Sequence, residues 1–254
     1  MAEALSTIPA HRRRLLLVGT EADRARLKLN RENRRLLIKP SLRFVSLDEV
    51  SQFNDPILQD LASKDLLQPG ALLVQSLTVP NKYARLSSAG DQTAKWKLDA
   101  TVRVCHLLGA RRVEIRHAEF KSREDVSKRT ASTQAKGIAQ GKINTASGTI
   151  EVGGLQLRAI WTFHGGEPQT EEADRALAES GLLDEALQSM IDFFRTGNWP
   201  TSYEFEISTT EEMRRMREMV GDMSVPATFK AHTELESFKA SASSYRFQLW
   251  VEFG

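Results

Sequence analysis

At Gly109 the spacing of apolar residues changes period, and that change limits the folds open to this chain more than any other feature. Upstream, Leu98, Val102, Cys105 and Leu108 recur at helical spacing, with Ala100, Val104 and Leu107 widening the stripe, so 94–108 reads as an amphipathic helix. Asp99 and Arg103 lie four apart on its opposite face and support it as an ion pair. Gly109 falls where a left-handed cap residue belongs. Beyond it the period drops toward two. Val113, Ile115 and His117 share one face of a strand over 111–121, while Ala118 and Phe120 fall on the other, which predicts a bulge near His117. Leu155, Leu157, Ala159, Trp161 and Phe163 alternate as a half-buried strand behind the bend-forming pair Gly153-Gly154. Tyr245, Phe247, Leu249, Val251 and Phe253 make the clearest period-two run in the chain.

Before the central helix, Thr20-Glu21-Ala22-Asp23 resembles a capping box that opens a helix through Asn30. Leu36–Lys39 reads as a short strand ended by Pro40, and Ser46 with Asp48 and Glu49 as a brief helix start. Asp55-Pro56 opens a helix over 57–67, and Pro69-Gly70 turns the chain into a buried strand at 71–74. Later, 182–196 is a helix stopped by Gly197, and Tyr203, Phe205 and Ile207 alternate as a strand. Ser208 and Glu211 form a capping box ahead of a helix carrying Met213, Met216 and Val220, and 227–235 reads as a strand. The expectation is an α+β fold: an antiparallel or mixed twisted sheet, several packed helices and a long extended, hairpin-like segment. It is expected as one domain over 1–254, with a basic, helix-rich part at 1–69, the central helix and extended strands at 70–165, and an acidic part at 166–254.

The extended segment is the oddest passage. Residues 122–150 are rich in Ser, Thr, Ala, Gly, Gln and Lys, and from Thr133 to Ile143 Ala135, Gly137, Ala139, Gly141 and Ile143 alternate with Gln134, Lys136, Gln140 and Lys142, a pattern that Ile138 interrupts. So lean a segment cannot bury itself, which predicts an exposed hairpin or a loop ordered by a partner.

Composition excludes several classes. With 41% hydrophobic and 27% charged residues the 254-residue chain is ordinary globular material. No apolar run approaches the roughly 20 residues that span a bilayer, and Leu15–Val18 behind Arg12-Arg13-Arg14 is too short for a secretory signal. The single cysteine, Cys105, permits no internal disulfide and suits a reducing, cytoplasmic setting. Histidines at 11, 106, 117, 164 and 232 are scattered, and neither HExxH nor CxxC occurs, so no metal is expected. Leu77-Thr78-Val79-Pro80-Asn81 lacks the glycines of a phosphate loop, no GxSxG elbow occurs, and no cofactor is expected. Cys105 and His106 point about 100° apart on a helix, so Cys105 reads as a core residue rather than a nucleophile.

Charge is unevenly spread. Between His11 and Arg43 stand 11 Lys/Arg against 3 Asp/Glu, whereas 165–240 holds 16 Asp/Glu against 7 Lys/Arg. Arg12, Arg13, Arg14, Arg24, Arg26, Arg34 and Arg35, with Lys136 and Lys142 in the lean segment, are therefore the candidate binding residues for an anionic partner, either nucleic acid or acidic lipid. The enzyme alternative is a metal-dependent nuclease, in which Glu119 would bind Mg²⁺ and Lys121 would steady the attacking water, both on one strand face. A pore-forming alternative would insert 122–163 as a β-hairpin. The reading that uses most of these features is a non-catalytic, effector-type interaction protein, docking to itself or to a protein partner through 122–150 and the basic arm.

Overall fold

Leu15–Gly19 has no polar side chain, so a strand made from it must be covered on both faces. The computed structural model describes residues 5–50, 54–77, 79, 81–121, 138–140, 142–144, 148–180, 184–227, 229–241 and 243–254. In it that stretch is β1 (Leu15–Gly19), buried at all of its positions and flanked on both sides within a four-stranded sheet. One neighbour, β2 (Leu42–Ser46), is parallel, which demands a crossover, and α1 (Glu21–Leu29) and α2 (Arg31–Leu37) supply it. The other neighbour, β3 (Leu72–Gln75), is antiparallel and carries β4 (Tyr83–Arg85) on its far side. Contacts divide the chain into two compact units, each drawn from two stretches of sequence: Met1–Ala89 with Arg214–Ala242, and Gly90–Met213 with Ser243–Gly254. The four-stranded sheet belongs to the first.

Local signals place the helices of this unit. Thr20 and Asp23 form a reciprocal capping box at the start of α1. The brief helix after β2 is α3 (Leu47–Val50), and Pro56 opens α4 (Pro56–Ser63) behind the N-cap Asp55. Two expected strands are helical instead. Leu36 and Leu37 close α2, because the polar run Arg31–Arg35 ahead of them continues a helix and three apolar residues cannot choose between periods alone. The strand comes after Pro40. Likewise, 227–235 is not a strand: Ala231, Leu235 and Phe238 are buried at spacings of four and three in a helix over Lys230–Ser241.

The second unit begins with α5 (Ala89–Leu107), which starts five residues before the expected helix and stops at Gly109, whose φ is +84°. A Cβ there would lie 2.4 Å from the Gly166 carbonyl oxygen, so only glycine fits. Next come β5 (Ala110–Lys121), β6 (Ile138–Gln140), β7 (Lys142–Asn144), β8 (Thr149–Val152), β9 (Leu155–Arg158) and β10 (Ile160–Thr162). They are followed by α6 (Thr170–Ser180), α7 (Glu185–Arg195), β11 (Ser202–Ser208) and, after α8 (Thr210–Gly221) and the helix already described, now α9, which from Arg214 onward belong to the first unit, by β12 (Ser244–Phe253). One sheet runs β10-β5-β12-β11, with β6 also paired to β5, and a second runs β7-β8-β9. The fold is α+β, with one mixed sheet and two antiparallel ones among the described residues.

The alternation of β12 decides the layering of this sheet. Tyr245, Phe247, Leu249, Val251 and Phe253 are buried together with Leu98, Val102 and Cys105 of α5 and Leu187, Met190, Ile191 and Phe194 of α7. The Tyr245 hydroxyl donates to Asp91 at 2.5 Å, fixing the first turns of α5. The bulge expected near His117 is present: Gln248 faces His117 but Leu249 faces Ile115, leaving Arg116 over. The other sheet face is charged, with ion pairs Arg112–Glu114 at 3.0 Å and Arg246–Glu206 at 3.2 Å, and Arg116 lying 4.7 Å over Trp250.

The strand expected over Leu155–Phe163 is two. Ala159 breaks it, donating to the Gly148 carbonyl and accepting from Ile115, both at 2.8 Å, so β9 and β10 serve different sheets. The expected turn at Gly153-Gly154, with both φ positive, joins β8 to β9 as a hairpin. α6 had no apolar signature, since it buries chiefly Ala173, Ala176 and Leu177.

Asp55 shows how one polar group holds the first unit. It accepts from the Ser6 N–H at 2.8 Å, the Ser6 hydroxyl at 3.0 Å, and the Ile57 and Leu58 N–H at 2.8 and 3.3 Å. Burial works against its carboxylate, but these hydrogen bonds outweigh burial and hold its pKa below the ordinary aspartate value. Asp55→Ala should lower the unfolding free energy in urea by about 2 kcal/mol at neutral pH. A depressed carboxyl stabilises above its unfolded pKa and loses that stabilisation as pH falls through the folded one, so the difference between Asp55→Ala and wild type should narrow in acid.

Candidate functional site

The basic arm resolves into residues spent inside the fold and residues left for a partner. Arg13 is buried: its Nε donates to the Ile8 carbonyl at 2.8 Å and one terminal nitrogen to the Tyr83 hydroxyl at 3.0 Å, while the other bonds Asn81. Tyr83 returns a hydrogen bond to the Arg13 carbonyl at 3.0 Å, and burial lifts its phenol above the usual value, so it stays a neutral donor. Arg13 is thus an internal tie, not the surface charge expected. Arg24 pairs with Glu21 at 3.3 Å and lies 5.9 Å from the centre of the Phe44 ring, and Arg26 pairs with Asp23 at 3.6 Å. Arg12 and Arg14 are exposed.

The remaining cations gather on α2 and its approach. Arg34 donates to the Lys28 carbonyl at 3.2 and 3.0 Å, a cation at the C-terminal end of α1. Lys28, Arg31 and Arg35 are exposed and make no ion pair among the described residues. Spacings of three and four put Arg31, Arg34 and Arg35 on one face of α2, and Ile38 continues that row just past its end. Ile38 is 72% exposed, and Leu29, at the junction of α1 and α2, is 86% exposed. Two bare aliphatic side chains therefore bracket a cationic helix about 10 Å long.

The nuclease residues are placed differently. Glu119 and Lys121 do share the charged face of β5. However, Glu119 meets His117 at 3.3 Å, and its register neighbours are Arg246 and Gln140 rather than a second carboxylate. Among the described residues no cluster of three His, Cys, Asp or Glu could hold a metal ion. Cys105 is fully buried and its thiol is pushed up to about 12 by burial, which leaves no thiolate for nucleophilic work. Lys136 and most of 122–150 lie outside the described residues, as does the side chain of Lys142, whose backbone lies in β7.

A second exposed apolar group escaped the reading of the sequence. Phe193 and Trp199 are 46% and 60% exposed and, with Asn198, Pro200 and Tyr203, line a shallow recess of about 370 Å³. One signal was available. Leu187, Met190 and Phe194 fill the buried stripe of α7, so Phe193 had to point elsewhere. Lys97 was missed too: it is buried in the second unit, bonded to Glu212 and to the Ser208 carbonyl, each at 2.8 Å.

No helix among the described residues is long and apolar enough to cross a membrane. The chain matches no protein-family model, no curated protein and no solved structure.

The two roles found in the arginine triplet separate in denaturation. Arg13→Ala strands two buried partners, the Ile8 carbonyl and the Tyr83 hydroxyl, and should cost about 3 kcal/mol, and Arg13→Lys should not rescue it, because an ammonium cannot reproduce the fork. Arg12→Ala should stay within about 0.5 kcal/mol of wild type.

Proposed function

We propose that this is a non-catalytic docking protein whose first unit attaches to anionic membrane surfaces through the α1–α2 hairpin. The observation that carries the reading is the pairing of Leu29 and Ile38, both largely exposed, with the exposed cations Lys28, Arg31 and Arg35, which make no ion pair among the described residues. Cations near an acidic leaflet contribute about 1 kcal/mol each, and aliphatic side chains beside them enter the headgroup–acyl boundary. A nucleic acid would satisfy the arginines but offer nothing to Leu29 or Ile38, and the hairpin carries no aromatic ring on which bases could stack. Lipid is therefore preferred over nucleic acid.

Co-sedimentation with phosphatidylcholine vesicles, with and without phosphatidylserine, tests the reading. Binding should require the acidic lipid and weaken with salt. Arg31→Ala with Arg35→Ala should weaken it roughly 30-fold. Leu29→Ser with Ile38→Ser should weaken it while leaving the salt dependence intact. Equal binding to neutral vesicles, or no binding to either kind, would refute it.

A further inference from the structure

β11 finishes its sheet on one side only. It pairs with β12 along its whole length, and no described strand pairs with its other edge. At its two ends the Phe253 N–H donates to the Thr201 carbonyl and the Thr209 N–H to the Tyr245 carbonyl, both at 2.9 Å. The odd-numbered residues thus face β12, and alternation turns the backbone groups of Ser202, Glu204, Glu206 and Ser208 outward. The Ser208 carbonyl is taken by the Lys97 ammonium at 2.8 Å. The outward N–H and C=O of Glu204 and Glu206 have no backbone partner among the described residues.

Side chains flanking this open edge differ by face. On one, Glu204 and Glu206 stand about half exposed, touching Arg116 at 3.9 Å and Arg246 at 3.2 Å on the inner side only. On the other, Tyr203 lies 6.3 Å from Phe193, centre to centre, and the recess with Trp199 opens beside the strand. A strand added here therefore meets carboxylates on one face and an aromatic recess on the other.

We propose that β11 and this recess bind an extended segment of a partner protein as an added strand, one whose residues alternate basic and apolar. Backbone groups of Glu204 and Glu206 supply affinity, their carboxylates select lysine or arginine on one face, and the recess takes an apolar side chain on the other. Charge decides against the competing occupants. A second copy of this chain, paired two-fold about Glu204, Phe205 or Glu206, would set glutamate directly against glutamate. The same carboxylates repel an acidic bilayer, so the exposed aromatics here are not a further lipid anchor.

Fluorescence anisotropy with the capped, labelled peptide Lys-Val-Lys-Leu-Lys-Val-Lys and the full-length protein tests this. Saturable binding is expected. N-methylation of alternate peptide nitrogens should weaken it at least roughly tenfold, and reversal to the Glu-Val-Glu-Leu-Glu-Val-Glu peptide should abolish it. Glu206→Lys and Trp199→Ala change exposed side chains and should each weaken binding, whereas Ile38→Ser, on the lipid-docking hairpin, should leave it unchanged. No binding, or binding indifferent to N-methylation, would overturn the proposal, as would a dimer in sedimentation analysis that Trp199→Ala dissolves.

Discussion

The two-sided pairing of β12 is the interaction on which the second unit depends. Its register fixes β5 on one flank and β11 on the other, and its five alternating large residues reach the packed side of the sheet. Each such residue contributes about 1.5–3 kcal/mol by leaving water. A slip of one position would turn Phe247 and Leu249 to the charged side and set Arg246 and Gln248 against α5 and α7. The bulge at Arg116 is part of this constraint: it lets a β5 whose apolar pattern changes phase keep both Ile115 and Ala118 inward. Since β12 has neighbours on both flanks, β11 is left as one of the two edge strands of the sheet among the described residues, with β10 at the other end.

The first unit solves a similar problem differently. β1 is apolar on both faces, so it lies inside its sheet, and its parallel pairing with β2 requires a crossover. That crossover is the α1–α2 hairpin, which gathers the cations because it is short, helical and outward. Large apolar side chains among the described residues are left exposed in two pairs, Leu29 with Ile38 and Phe193 with Trp199. Exposed apolar groups rimmed by charge mark interaction surfaces. The rims differ in sign: arginines surround the first pair, and glutamates of the adjoining strand flank the second. Two surfaces of opposite charge suit two different partners.

Much of this was legible where a residue type has one physical use. Gly109 as a left-handed stop, Thr20 with Asp23 as a cap, Asp55-Pro56 as a helix start and the alternation of 245–253 all stand as the sequence implies. Short apolar runs were not decisive. Leu36-Leu37 and the stretch from Ala227 fit either period, and tertiary burial of Leu36, Leu235 and Phe238 chose the helix. Ala159 looked like another member of an alternating strand, because nothing in its side chain shows that its backbone bonds two different sheets. In the arginine triplet, Arg13 shares the alternating face of Leu15 and Leu17, a clue that composition alone hides. The open edge of β11 could not be seen at all, since strand order is a property of pairing and not of any one residue.

Residue-resolved amide hydrogen exchange in the full-length protein tests most directly whether one flank of β11 is complete and the other open. Slow exchange is expected throughout the middle of β12 and an alternation along β11, with Tyr203, Phe205 and Ile207 protected and Glu204 and Glu206 fast. Uniform protection across Tyr203–Ile207 would mean that the edge is already covered, and would contradict that expectation.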